Sequence, residues 1–187
     1  TRRVGEMKIR VGLVGLGDAW PQRHRPALRT MADRFEVRAI CEPVAHRASH
    51  AAAELNADRV GGFQALAARE DIDAIMVLSP GWFGVLPILA ACDAGKAVYC
   101  ASGLELRPDD AKMVRRRVEE TGVAFMAEFL RRHAPATLRL KELIATRLGE
   151  PQLLFCHQRL GADGSDPADA PAPRDPIGKE LIELVDW

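Results

Sequence analysis

Ile9-Arg10-Val11-Gly12-Leu13-Val14-Gly15-Leu16-Gly17-Asp18-Ala19-Trp20 begins as an apolar run and breaks into a glycine turn. A helical segment follows, and a second apolar run, Val37-Arg38-Ala39-Ile40-Cys41-Glu42, ends on a carboxylate. Strand, glycine turn, helix and strand in that order form a βαβ unit suited to a dinucleotide. Gly15 permits the tight turn, and Gly17 lets backbone approach a pyrophosphate at the N-terminus of the next helix. Glu42 would accept hydrogen bonds from a ribose hydroxyl. Its charge repels a 2′-phosphate and so favours NAD over NADP. Arg47 on the following helix either reverses that preference or is solvated.

Two letters depart from the pattern. Trp20 occupies the third glycine position, as a cover over the crevice or as packing. Asp18 puts a carboxylate where phosphate would arrive. It reads either as part of the nucleotide site or as a cap that takes the donors a phosphate wants. The expected cofactor contacts are therefore Gly15, Gly17, Asp18, Ala19, Trp20, Glu42 and Arg47, with Ser79, Pro80 and Gly81 at the exit of a later strand.

Composition bounds the rest. The 187 residues are 48% hydrophobic and 28% charged, with 26 basic and 26 acidic side chains. That balance leaves no electrostatic footprint for nucleic acid or an anionic membrane. The run Arg115-Arg116-Arg117 has Glu119 and Glu120 beside it and reads as a solvated helix face. Four cysteines, Cys41, Cys92, Cys100 and Cys156, form no C-x-x-C pair. They read as reduced structural thiols of a cytoplasmic protein. His24, His46, His50, His133 and His157 lack metal-ligand spacing, so no metal is expected. No apolar run reaches the roughly 18 residues of a membrane span. Thr1 to Glu6 reads as a tail, with Met7 as the start.

Further along, strands and helices alternate. Strands are expected at Ile9–Val14, Glu36–Cys41, Arg59–Gly61, Asp73–Ser79, Ala97–Cys100 and Val123–Ala127. Between them, helices are expected after Pro21 and Pro26, at Ala45–Leu55, Phe63–Arg69 and Val85–Ala94, and from Pro108 to Gly122. Ile9–Val14 is apolar on both alternations, which suits a central strand of a parallel sheet covered on both faces, and the alternation of strands with helices argues for a parallel, doubly wound α/β domain. A second unit follows from residue 130. Its helix starts at Pro135, with Leu138, Leu143 and Ile144 facing inward, and a strand is expected at Gln152–Gln158. The segment 161–176 reads as a mobile loop, and Ile177–Trp187 as an apolar helix. One helix, one strand and a helix fragment do not enclose a core, so the chain reads as part of a longer protein. The unpaired strand suggests association with a second copy, hence a homo-oligomer.

These segments together resemble the Gfo/Idh/MocA oxidoreductases, named after glucose-fructose oxidoreductase and inositol dehydrogenase. The resemblance is carried by the glycine turn, Ala39-Ile40-Cys41-Glu42, and Asp71-Ile72-Asp73-Ala74-Ile75-Met76-Val77-Leu78-Ser79-Pro80. It continues through Ala91-Cys92-Asp93-Ala94-Gly95-Lys96-Ala97-Val98-Tyr99-Cys100, Arg131-Arg132-His133-Ala134-Pro135 and Lys141-Glu142-Leu143-Ile144. It implies an α/β fold: a Rossmann-type doubly wound parallel sheet over 7–129, binding NAD or NADP. At 130–187 it implies the beginning of a second α/β domain for substrate and oligomer contacts. It also implies oxidation or reduction of a sugar- or cyclitol-type small molecule.

The departures fall on chemistry. Where the family has E-K-P, this chain has Ala101-Ser102-Gly103, and serine lacks the charge and reach of the lysine. Glu180 and Glu183, in Glu180-Leu181-Ile182-Glu183-Leu184, stand where the family has its catalytic histidine and the aspartate after it. Gly81 and Gly84 replace a frequent Asn and His. A base is still needed to take a hydroxyl proton, and a carboxylate serves only if its environment raises its pKa. Two expectations stand side by side: an oxidoreductase divergent at its catalytic positions, and a catalytically silent nucleotide- or ligand-binding homologue.

Overall fold

The computed structural model describes residues 8–101 and 107–152. The expectations at Ser102, Gly103, Cys156, His157, Glu180 and Glu183 lie outside these residues. So do the strand beyond Gln152, the loop 161–176 and the helix 177–187.

Six parallel strands make one sheet: β1 (Ile9–Val14), β2 (Phe35–Cys41), β3 (Asp58–Arg59), β4 (Ala74–Val77), β5 (Ala97–Cys100) and β6 (Phe125–Ala127). Their order is β3-β2-β1-β4-β5-β6. The chain therefore winds outward from β1 in one direction, then returns and winds outward from β4 in the other. A crevice opens at the carboxyl ends of β1 and β4, where the winding reverses.

The helices are α1 (Arg25–Thr30), α2 (Ala45–Leu55), α3 (Phe63–Ala67), α4 (Leu86–Asp93) and α5 (Pro108–Thr121). Alternate strand residues feed two apolar clusters. Val11, Leu13 and Ile40 pack with Trp20, Leu28 and Ala51 from the α1 and α2 segments. Val14, Ile75, Val77 and Val98 pack with Phe63, Leu66, Ile88 and Val114 from α3, α4 and α5. Leu13, Ile40 and Ile75 are essentially inaccessible to solvent. Full burial of such a side chain contributes about 1.5–3 kcal/mol.

Several boundaries differ from the sequence expectations. The edge strand β3 is Asp58–Arg59 rather than Arg59–Gly61. It pairs only with Ala39 and Ile40, and the pair Gly61-Gly62 follows. The fourth strand keeps only Ala74–Val77, and Leu86 on α4 is exposed although the helix is apolar nearly all round. Helices α2 and α5 end where expected, on Asn56 and Gly122 in left-handed conformation.

The chain divides into two compact units, Thr1–Glu128 and Phe129–Trp187. In the second, a short turn at Leu130–His133 precedes α6 (Pro135–Leu143), and a wide turn at Ile144–Leu148 follows it. The Arg132 guanidinium stacks 5.5 Å from the Phe129 ring centre. No residue of α6 or of the turn after it is buried, and Leu138 is exposed. The inward face expected at Leu138, Leu143 and Ile144 thus has no second layer over it among the described residues.

Candidate functional site: the crevice at the glycine turn

Two glycines build the floor of the crevice. Gly15 and Gly17 adopt φ of 62° and 64°, a region that L side chains rarely enter. Both also lie against the exit of β4. A Cβ on Gly15 would sit 1.9 Å from the Ser79 carbonyl oxygen, and one on Gly17 would sit 2.8 Å from Ser79 Cβ. Glycine is therefore demanded here by geometry on two independent counts.

The end of β2 closes the turn from the other side. The Gly15 N–H donates to the Cys41 carbonyl at 2.9 Å. The Leu16 N–H donates to Glu42 Oε2 at 2.7 Å, and the Val44 N–H donates to Oε1 at 3.0 Å. Both oxygens of Glu42 thus have backbone donors, and each keeps a further lone pair for an incoming hydroxyl. Arg47 is not solvated: its Nη2 donates to the Gly17 carbonyl at 2.6 Å and is partly buried. It braces the same turn.

After the turn the chain forms a single wide π-helical turn, Trp20–His24, before α1 begins. Trp20 is 7% exposed and packs among Leu13, Leu16, Leu28 and Leu78. Packing, not covering, is what it does. A glycine at this point would bring the helix onto the strand, whereas the indole occupies the space between them. Asp18 does not cap the helix. The residue preceding the wide turn is Ala19, with no side-chain cap, and the Asp18 carboxylate is exposed. The N–H groups of Gly17, Asp18 and Ala19 have no acceptor among the described residues. They form a short donor array at the start of a helical segment, which is the setting an anionic phosphate ester requires.

On the β4 side, Ser79 leads into Pro80 and a turn at Gly81–Phe83, where Gly81 has φ of 50°. The Phe83 ring meets Phe63 of α3 edge to face at 5.3 Å and anchors that turn. Gly15, Gly17, Glu42, Arg47 and Ser79 are thus brought together, Ala19 and Asp18 lie beside them, and Pro80 and Gly81 begin the turn that follows Ser79.

A polar group that the sequence reading missed lies beyond the turn. Arg23 pairs with Glu128, the residue after β6. Buried His24 and half-buried Tyr99 are its neighbours. Burial pushes the His24 imidazole below its ordinary value; Arg23 acts in the same direction and Glu128 opposes it. Burial, and then the adjacent Glu128 carboxylate, pushes the Tyr99 hydroxyl up. No local pattern signals this group, because Arg23 and Glu128 are 105 positions apart.

Among the described residues no group of three or more His, Cys, Asp and Glu side chains is placed to hold a metal, and no helix is long and apolar enough to cross a membrane. The Arg115 and Arg116 guanidiniums pair with Glu119 and Glu120, and Arg117 with Asp93, as a solvated face requires.

Strand order, reversal point and glycine turn define a Rossmann-type nucleotide-binding domain. Residues 9–129 match the GFO_IDH_MocA family model, described as an oxidoreductase family with an NAD-binding Rossmann fold, and the chain belongs to that family. It is 32% identical over 139 residues to D-xylose 1-dehydrogenase (NADP(+)) 2 of Haloferax volcanii, covering 74% of this chain and 42% of that protein. It is 29% identical over 155 residues to inositol 2-dehydrogenase 3 of Saccharopolyspora erythraea, covering 82% and 46%. Among solved structures, a 3-ketoreductase from Actinomadura kijaniata in complex with NADP and TDP-benzene superposes with a TM-score of 0.66 at 29% identity. That match covers 74% of this chain and 42% of the other. The chain spans less than half the length of these relatives.

Proposed function

We propose that residues 7–129 form the nicotinamide-dinucleotide domain of an oxidoreductase acting on a sugar- or cyclitol-type hydroxyl or carbonyl. Residues 130–187 begin its substrate and oligomer domain. The observation that carries the reading is the donor array of Gly17, Asp18 and Ala19, set beside a Glu42 carboxylate already fixed by two backbone donors. A bound nicotinamide would supply the hydride chemistry. The chain's part is to orient the two ends of the cofactor: backbone N–H groups toward the diphosphate, Glu42 toward the adenosine ribose. Glu42 disfavours a 2′-phosphate, and Arg47, the cation that would attract one, is engaged with the Gly17 carbonyl. NAD is therefore the preferred partner. We further place the protein in the cytoplasm as a homo-oligomer.

A second reading, a nucleotide-binding homologue without turnover, is favoured by Ser102, Glu180 and Glu183 at the positions where the resemblance puts lysine, histidine and aspartate. Titration of NADH and NADPH by fluorescence or calorimetry tests what both readings share. Absence of binding at millimolar cofactor sinks both. Turnover of a sugar or cyclitol, lost on changing one of those three residues, sinks the second.

A further inference from the structure

The Arg23–Glu128 pair links the segment after the central strand β1 to the end of the edge strand β6. Each partner is fixed separately by backbone. The Arg23 N–H donates to the Ala19 carbonyl at 3.0 Å, so Arg23 is bonded back to the last residue of the Gly17–Ala19 donor array. The Glu128 N–H donates to the Cys100 carbonyl at 2.8 Å, which extends the β5–β6 ladder one residue past β6. The side-chain contact therefore joins the turn after β1 to the carboxyl end of the opposite sheet edge.

The Glu128 side chain is 13% exposed, and its Oε2 is buried with no hydrogen-bond partner. A carboxylate kept in that condition stabilises the fold poorly, because part of its desolvation is uncompensated. Its contribution is one of position. Without the anchor, the Trp20–His24 turn is tied to the sheet edge only through packing. The Gly17, Asp18 and Ala19 N–H groups just before it are then braced only at Gly17, through Arg47, and the ordering left to the moment of binding weakens it.

We propose that Glu128 is a positioning residue for dinucleotide binding: through Arg23 it holds the wide turn so that the Gly17, Asp18 and Ala19 N–H groups are preset for an anionic phosphate. This rests on the dinucleotide reading above, and its test separates the two. Glu128→Gln keeps the size and removes the charge. Arg23→Gln removes the partner that is one-third exposed and is the safer variant for folding. Each is expected to bind NADH about tenfold more weakly, the scale of one charge-assisted hydrogen bond. The double variant should be no weaker than either single one, and Arg23→Lys should recover part of the loss. Amide exchange over residues 17–24, measured without cofactor, should quicken in both single variants while exchange in β1 and β4 stays as it is. Wild-type exchange over 17–24 in folded variants overturns the proposal, as does a tenfold loss in each single variant that multiplies in the double. If the wild-type protein binds no NADH, the dinucleotide reading fails, and the exchange measurement alone decides whether Glu128 holds the turn.

Discussion

Glu42 Oε2 accepts the Leu16 N–H at 2.7 Å, so the acidic end of β2 is bonded into the turn that ends β1. The carboxylate that would face a ribose is at the same time a strut of the glycine turn. Its two duties are separable by substitution. Glu42→Gln leaves one carbonyl oxygen for two backbone donors and is expected to lower stability by about 1–2 kcal/mol. NADH affinity should fall about tenfold and NADPH affinity by less, because the repelling charge is gone. Denaturant unfolding and paired cofactor titrations measure both effects, and an unchanged NADH-to-NADPH ratio would contradict the ribose assignment.

Gly15→Ala is expected to be far worse than Gly17→Ala. The added methyl at 15 meets a backbone carbonyl at 1.9 Å, whereas at 17 it meets the Ser79 side chain at 2.8 Å. Both also pay for positive φ, about 1–2 kcal/mol. Gly15→Ala should lose more than about 3 kcal/mol or fail to fold, as clashes with fixed backbone do. Equal melting temperatures for the two variants would contradict the close approach of β4 to the turn.

Trp20→Gly restores the third glycine of the dinucleotide pattern and is nevertheless expected to damage the protein. Trp20 is buried among leucines of the sheet and α1, so its removal leaves a cavity costing about 3–5 kcal/mol. The check is the urea midpoint. A variant as stable as the parent would mean that the indole does not fill the layer between helix and strand.

Acid should destabilise the first unit in two steps. His24 is held below its ordinary pKa by burial, so the unfolded chain binds the proton more readily. Its contribution is complete above the unfolded value of about 6.5 and is lost as pH falls below it. Asp73 is lowered to about 2, chiefly by its hydrogen bond with Arg10. That contribution is present above about 4 and fades as pH falls toward 2. It stays below about 1 kcal/mol because both side chains are more than one-third exposed. Melting temperature followed from pH 8 to pH 3 should lose its upper slope in His24→Gln and its lower slope in Asp73→Asn.

The sheet was legible because its evidence is local. Val11, Leu13 and Val14 are apolar on both alternations, and Gly95 and Gly122 mark helix ends by a backbone conformation that one residue type enters freely. The glycine turn was legible for the same reason. Edges were less so: β3 is two residues long because pairing with β2, not its own propensity, sets its extent. The roles of Arg47, Trp20 and Glu128 depend on partners 30 or more positions away, at Gly17, Leu78 and Arg23, and no local periodicity encodes such contacts. Of the two readings open for Asp18, the cap is not made, because the wide turn begins one residue later than a cap there requires.

The approach of the Ser79 carbonyl to Gly15 bears on how such a sequence changes over generations. Any side chain at 15 collides with the backbone of the neighbouring strand, so selection for folding alone keeps the glycine. A lineage that had abandoned hydride transfer would still carry Gly15 unaltered, while positions held only by chemistry would drift. The glycine at 15 therefore testifies to the fold, and evidence of continued use has to come from positions whose replacement leaves the sheet and its turns intact.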